Sequence, residues 1–120
     1  MSTEPFDVLI VDDSHDVADS MAELLDLIGF RSRAVYSARD ALEAVRQAAP
    51  LCVLLDVKMP DMDGLDLARA LRAQCGDDVV LVAVTGAGPD DQRATDVFAL
   101  VDHHFIKPVS IEDLSRVLRH

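Results

Sequence analysis

Two short stretches of this chain, residues 51–55 and 79–84, are apolar at every position. A strand with one face in water alternates apolar and polar residues. A continuous run of five or six demands burial on both faces. Neither run reaches the length of an ordinary helix. Strands of this kind belong in parallel sheets covered by helices on each side, so the sequence between them should supply those helices.

It does. Residues 7–11 form a short apolar run. Ser14 then stands where a helix would be capped, Val17, Met21, Leu24, Leu25 and Ile28 recur at helical spacing, and Gly29 supplies the stop. Residues 30–35 alternate, which predicts a more exposed strand near a sheet edge. Ser37 opens a second helix with Asp40 as capping partner, an apolar face of Ala41, Leu42, Val45, Ala48 and Ala49, and a stop at Pro50. Residues 59–64 are turn-rich, and a third helix is predicted over 65–74. Gly86 and Gly88 mark a loop over 85–89, and a fourth, weakly amphipathic helix is predicted over 91–100. Residues 103–106 read as a fifth strand. Ser110 caps a last helix whose face is Ile111, Leu114, Val117 and Leu118. Strict alternation with short connections implies right-handed crossovers and an α/β fold of three layers. The 120 residues fit a single domain over 1–120, with no repeat, linker or low-complexity tract.

Half of the residues are apolar and 28% are charged, with 22 acids against 11 bases and a net charge of −11. That balance argues against direct nucleic-acid binding, which needs a basic surface. Cys52 lies inside an apolar run and reads as a small buried hydrophobe. Neither it nor Cys75 has metal-site spacing, and the pair suggests a reducing compartment. No stretch predicts a membrane span, and residues 1–6 lack the features of a signal peptide. A cytoplasmic location is expected.

Chemistry-bearing residues gather where the apolar runs stop. Asp12 and Asp13 follow the first, Asp56 the third, Thr85 the fourth and Lys107-Pro108 the fifth. In a parallel α/β sheet, ligands bind at the carboxyl ends of the strands. Adjacent acids repel unless a cation lies between them, and oxygen ligands of this kind suit Mg²⁺. Asp56 has the roles of nucleophile, metal ligand or both open to it. Lys107 suits a phosphate as a point cation, and Pro108 permits a cis bond before it. Thr85 offers a hydroxyl to a phosphoryl oxygen. Each has a plainer reading by itself: the acids as first-turn helix residues favoured by the dipole, Thr85 as a strand terminator, Lys107-Pro108 as an ordinary turn. Their joint placement at one sheet edge favours a site for a divalent cation and a phosphoryl group.

The stretches VLIVDDS, LLDVKMPDMDGLDL, LVAVTG and FIKPVS, in that order and spacing, resemble the receiver domains of response regulators over essentially the whole chain. The resemblance implies a flavodoxin-like (βα)5 fold with strand order 2-1-3-4-5, which alternation alone leaves open. It implies Asp56 as phosphoacceptor and Asp12 and Asp13 as metal-binding acids, with Asp13 favoured as the direct ligand. The backbone carbonyl of Lys58 would complete the Mg²⁺ ligands. Thr85 becomes the switch hydroxyl, and Lys107 the partner of the phosphoryl group. Pro60 and Gly64 shape the loop after Asp56, and Pro108 follows a cis bond. The implied donor is a sensor histidine kinase or a histidine phosphotransfer protein, with output through the surface of the fourth helix, fifth strand and fifth helix. The domain would be a monomer or a phosphorylation-dependent dimer.

One position departs from the commonest pattern. Where many members carry Tyr or Phe three residues before the Lys, this chain has His104. The stretch from His103 to Val109 is similar to receivers attached to hybrid sensor kinases. His104 is then a candidate switch residue, with an exposed polar strand residue as the plainer reading. His103 and His104 face opposite ways on a strand and make no joint metal site. His15 reads as a solvated first-turn residue near the site, and the Lys58 side chain as a plain loop residue beside Asp56, with tuning of dephosphorylation the less favoured alternative. A haloacid-dehalogenase-type phosphatase needs an acid where Lys58 stands. A flavodoxin needs a phosphate loop and aromatic walls in place of Asp12-Asp13. A degenerate receiver acting as a scaffold would not require the full site. If the chain is complete, output runs through another protein; if it is a segment, it belongs to a hybrid kinase or multidomain regulator.

Overall fold

A computed structural model describes residues 7–56, 64–76, 78–85, 99–106 and 109–118. Its elements run β1 (Val8–Val11), α1 (His15–Leu27), β2 (Ser32–Val35), α2 (Ala38–Gln47), β3 (Cys52–Asp56), α3 (Gly64–Cys75), β4 (Val80–Thr85), β5 (His103–Ile106) and a C-terminal helix (Ile111–Leu118). The strands form one parallel sheet in the order β2-β1-β3-β4-β5. The implied flavodoxin-like order is therefore present, and β2 lies at an edge as its alternation predicts. Most of the predicted fourth helix, residues 91–98, lies outside the described residues.

The period of two along each strand divides the core. Leu9, Val11, Val53, Leu55, Leu81 and Ala83 face one side, under α2 and α3. Val8, Ile10, Cys52, Leu54, Val82 and Val84 face the other, under α1 and the C-terminal helix. Strands so covered must be apolar on both faces, which accounts for the uninterrupted runs. Cys52 is buried as expected, and burial, aided by the Asp102 charge, pushes its thiol up to about 12.

The helix boundaries follow local chemistry. Ser14, Ser37 and Ser110 each accept a backbone N–H three residues on, at 3.4, 3.1 and 3.1 Å. At the end of α1, Gly29 takes φ +94°, a conformation that strains other residues. Its N–H donates to Asp26 O and that of Phe30 to Leu25 O, the paired bonds of a glycine-terminated helix.

Two predicted faces need correction. Val17 and Leu24 are about two-fifths exposed (38% and 40%), whereas Ala18 and Leu25 are the buried residues of α1. Ala18 and Leu25 thus form the line of α1 turned to the sheet, and Val17 and Leu24 flank it. On α2, Ala38 and Ala44 join the buried face and Ala49 is exposed beyond the helix end.

One feature has no signal in the local sequence. Arg72, near the end of α3, donates from Nε to Leu100 O (3.1 Å) and from Nη1 to Gly76 O and Val79 O (3.0 and 3.1 Å). Its Nη2 donates to Asp102 Oδ2 (2.7 Å), which also accepts the Leu81 N–H (2.9 Å). The guanidinium thus ties α3 to the starts of β4 and β5. Burial acts to raise the Asp102 pKa, but the Leu81 amide and Arg72 outweigh it and the net shift is downward. A carboxylate with a lowered folded-state pKa stabilises above its unfolded pKa of about 3.9 and loses that contribution as pH falls through the folded value. Arg72→Ala is expected to cost about 1–3 kcal/mol near neutral pH, since carbonyl contacts go with the ion pair. Asp102→Asn should cost less, because that pair is partly exposed and screened. In urea unfolding followed from pH 7 to 3, the gap between Asp102→Asn and wild type should shrink below about pH 4.

Candidate functional site

The order β2-β1-β3 reverses direction between β1 and β3, and a crevice opens at the carboxyl ends of those two strands. Register then sets the site. Val11 is level with Leu55, so the next residues, Asp12 and Asp56, come side by side. Asp56 and Thr85, predicted to lie just past their strands, are instead the last residues of β3 and β4. Asp56 pairs with Val84, and Thr85 pairs with Ile106, the residue before Lys107.

Carboxylate oxygens of Asp12, Asp13 and Asp56 all lie within 4.8 Å of one another. Asp12 is 5% exposed, Asp56 is half-buried and Asp13 is exposed. The Asp12 N–H donates to Val35 O (3.2 Å), and its Oδ1 accepts the Ser14 N–H (3.0 Å). Beneath Asp12 and Asp56 the crevice wall is apolar, formed by Ile10, Leu54, Val84, Val17 and Met21. Three carboxylates against an apolar wall repel one another, and a divalent cation relieves that repulsion. Hard, closely grouped oxygens with one exposed side fit Mg²⁺, which uses one or two carboxylates and keeps several waters.

The other expected residues divide into two groups. Thr85 is described by its backbone alone, at the same sheet edge. Gly64 is buried as the first residue of α3. His104 is exposed on β5, level with Ala83. Lys58, Pro60, Lys107 and Pro108 lie outside the described residues.

His15 is more than a solvated first-turn residue. Its ring stacks on Tyr36, with centroids 3.6 Å apart and planes 6° from parallel. The Tyr36 hydroxyl donates to Asp19 Oδ1 (2.7 Å), and this hydrogen bond, with lesser burial and charge effects, raises the Tyr36 pKa. The sequence signal was slight: an aromatic just past β2 and a ring at the start of α1.

A doubly wound parallel sheet with clustered acids at its strand-order reversal defines a small class of acidic-site α/β domains. This chain belongs to the response regulator receiver domain family, whose sequence pattern matches residues 8–119. Receiver domains are regulatory phosphoacceptor modules of two-component signalling. The chain is 32% identical over 115 residues to the response regulator MprA of Mycolicibacterium vanbaalenii, covering 96% of this chain and 49% of that protein. It is 35% identical over 112 residues to the response regulator protein TmoT of Ectopseudomonas mendocina, covering 93% of this chain and 50% of that protein. It therefore spans about half the length of these curated relatives. Among solved structures, a CheY-like receiver domain from Methylobacillus flagellatus matches with a TM-score of 0.85 at 32% identity, covering 97% of this chain and 98% of the other. Among the described residues, no helix is long and apolar enough to cross a membrane.

Proposed function

We propose that Asp56 accepts a phosphoryl group from the phosphohistidine of a sensor histidine kinase or a histidine phosphotransfer protein. The observation that carries this reading is the convergence of the Asp12, Asp13 and Asp56 carboxylates within 4.8 Å, with Asp56 ending a central strand. An oxygen of Asp56 attacks phosphorus, the bond to the donor imidazole nitrogen breaks, and the imidazole leaves. When bound, Mg²⁺ neutralises charge on the transferring phosphoryl oxygens. Asp12 and Asp13 would hold that cation together with Asp56 and the Lys58 carbonyl, while Lys107 and the Thr85 hydroxyl would take the remaining phosphoryl oxygens. Catalysis by these groups is positioning and electrostatics, so the domain assists its own phosphorylation and dephosphorylation without being an enzyme in its own right.

The product adds about −1.5 to −2 charge at the end of β3. Thr85, and His104 on β5, then bias a two-state surface around β5 and the C-terminal helix toward a downstream protein. The proposed setting is cytoplasmic, with the domain a monomer or a phosphorylation-dependent dimer, and with no direct role in nucleic-acid binding.

The test is intact mass after incubation with a small acyl phosphate, with Mg²⁺ or with a chelator, followed by peptide mapping. One phosphoryl group, gained only with Mg²⁺ and mapped to Asp56, is the expected result. No gain, with no transfer from a histidine-phosphorylated donor, would leave a scaffold that binds without phosphate.

A further inference from the structure

The bond from Asp12 N–H to Val35 O ties the loop before α1 to the end of β2. The residue after Val35 reaches the helix beyond that loop: Tyr36 stacks on His15 and its hydroxyl bonds Asp19, one turn further along. The end of β2 thus brackets residues 12–19 from both sides. Asp12 is buried and fixed by its own hydrogen bonds. Asp13 is exposed, and the chain enters α1 two residues later. The first turn of α1 is thus the nearest held segment after Asp13.

We propose that the His15–Tyr36 stack, anchored through Asp19, is a positioning device for the acidic site that holds Asp13 toward the cation. The inference rests on the proposed Mg²⁺ site but not on phosphoryl transfer itself. The two rings lie parallel with centroids 3.6 Å apart and cover each other's faces, and Ala at position 15 removes that contact. Its loss should let the first turn of α1 swing and weaken cation binding, while leaving the transfer chemistry intact once the cation is in place. Phe at position 15 keeps a flat ring for Tyr36 and should preserve the effect; Ala should not.

The experiment is calorimetric titration of the metal-free protein with MgCl₂, for wild type, His15→Ala and His15→Phe, with thermal unfolding of each. For His15→Ala, the Mg²⁺ dissociation constant should rise about 3- to 10-fold. His15→Phe should stay within roughly twofold of wild type. At saturating Mg²⁺, acyl-phosphate labelling of His15→Ala should reach the wild-type extent. An unchanged constant in His15→Ala, or a His15→Phe that behaves like His15→Ala, overturns the inference, as does a wild type that binds no Mg²⁺. A wild type that binds Mg²⁺ but takes no phosphoryl group defeats the phosphoacceptor role of Asp56 alone, and the calorimetry still decides this one.

Discussion

Asp56→Asn is expected to take up no phosphoryl group from an acyl phosphate or a histidine-phosphorylated donor, a loss on the order of 10³-fold or more. The substitution keeps the shape of the side chain but removes its nucleophilic oxygen charge. It also removes one of the three carboxylates grouped within 4.8 Å. Mg²⁺ affinity should fall as a result, because the site depends on carboxylate charge. Taking away one of three closely grouped acids also lessens their mutual repulsion in the metal-free protein. Intact mass, Mg²⁺ titration and urea unfolding on the same sample separate these effects. A variant that still gains one Mg²⁺-dependent phosphoryl group would move the acceptor to another residue, Asp12 and Asp13 being the first to map.

Leu9→Ala should cost about 2–5 kcal/mol, a large share of the stability of a domain this size. Leu9 is fully buried on β1, which pairs with β2 on one side and β3 on the other. Its side chain belongs to the layer under α2 and α3, where close packing leaves little room to collapse into the vacancy. The contrast is Leu27→Ala. Leu27, equally apolar, is 80% exposed at the end of α1. Its replacement should change stability by no more than about 0.5 kcal/mol. Urea midpoints at constant slope give both values. Equal effects at the two positions would mean that Leu9 does not lie in the packed core.

Much of the site is legible in the sequence, because each functional acid follows an apolar run that could only be a strand. Sequence reasoning fails where two side chains compete for one contact line. Val17 and Leu24 match the helical period of α1 as well as Ala18 and Leu25 do, and apolar spacing cannot say which of two adjacent stripes meets the sheet. The rotation of α1 on the sheet decides, and it turns Ala18 and Leu25 inward. Arg72 carries no signal in the sequence because its hydrogen-bonded partners lie up to 30 residues away. His15 looks solvated for a similar reason: Tyr36 reaches it only after β2 has paired beside β1.

The order of residues by itself determined the alternation of strand and helix, burial of the central strands on both faces, the serine caps, and the placement of acids at strand ends. These are local properties, fixed by side-chain period and by hydrogen bonds within a few residues. The strand order was legible only through the family resemblance, and only the tertiary structure decided that Val11 stands level with Leu55 and that Asp12 and Asp56 consequently share a crevice. Register depends on pairings between segments some forty residues apart in the chain, and a shift of one residue would turn every side chain of a strand to the opposite face.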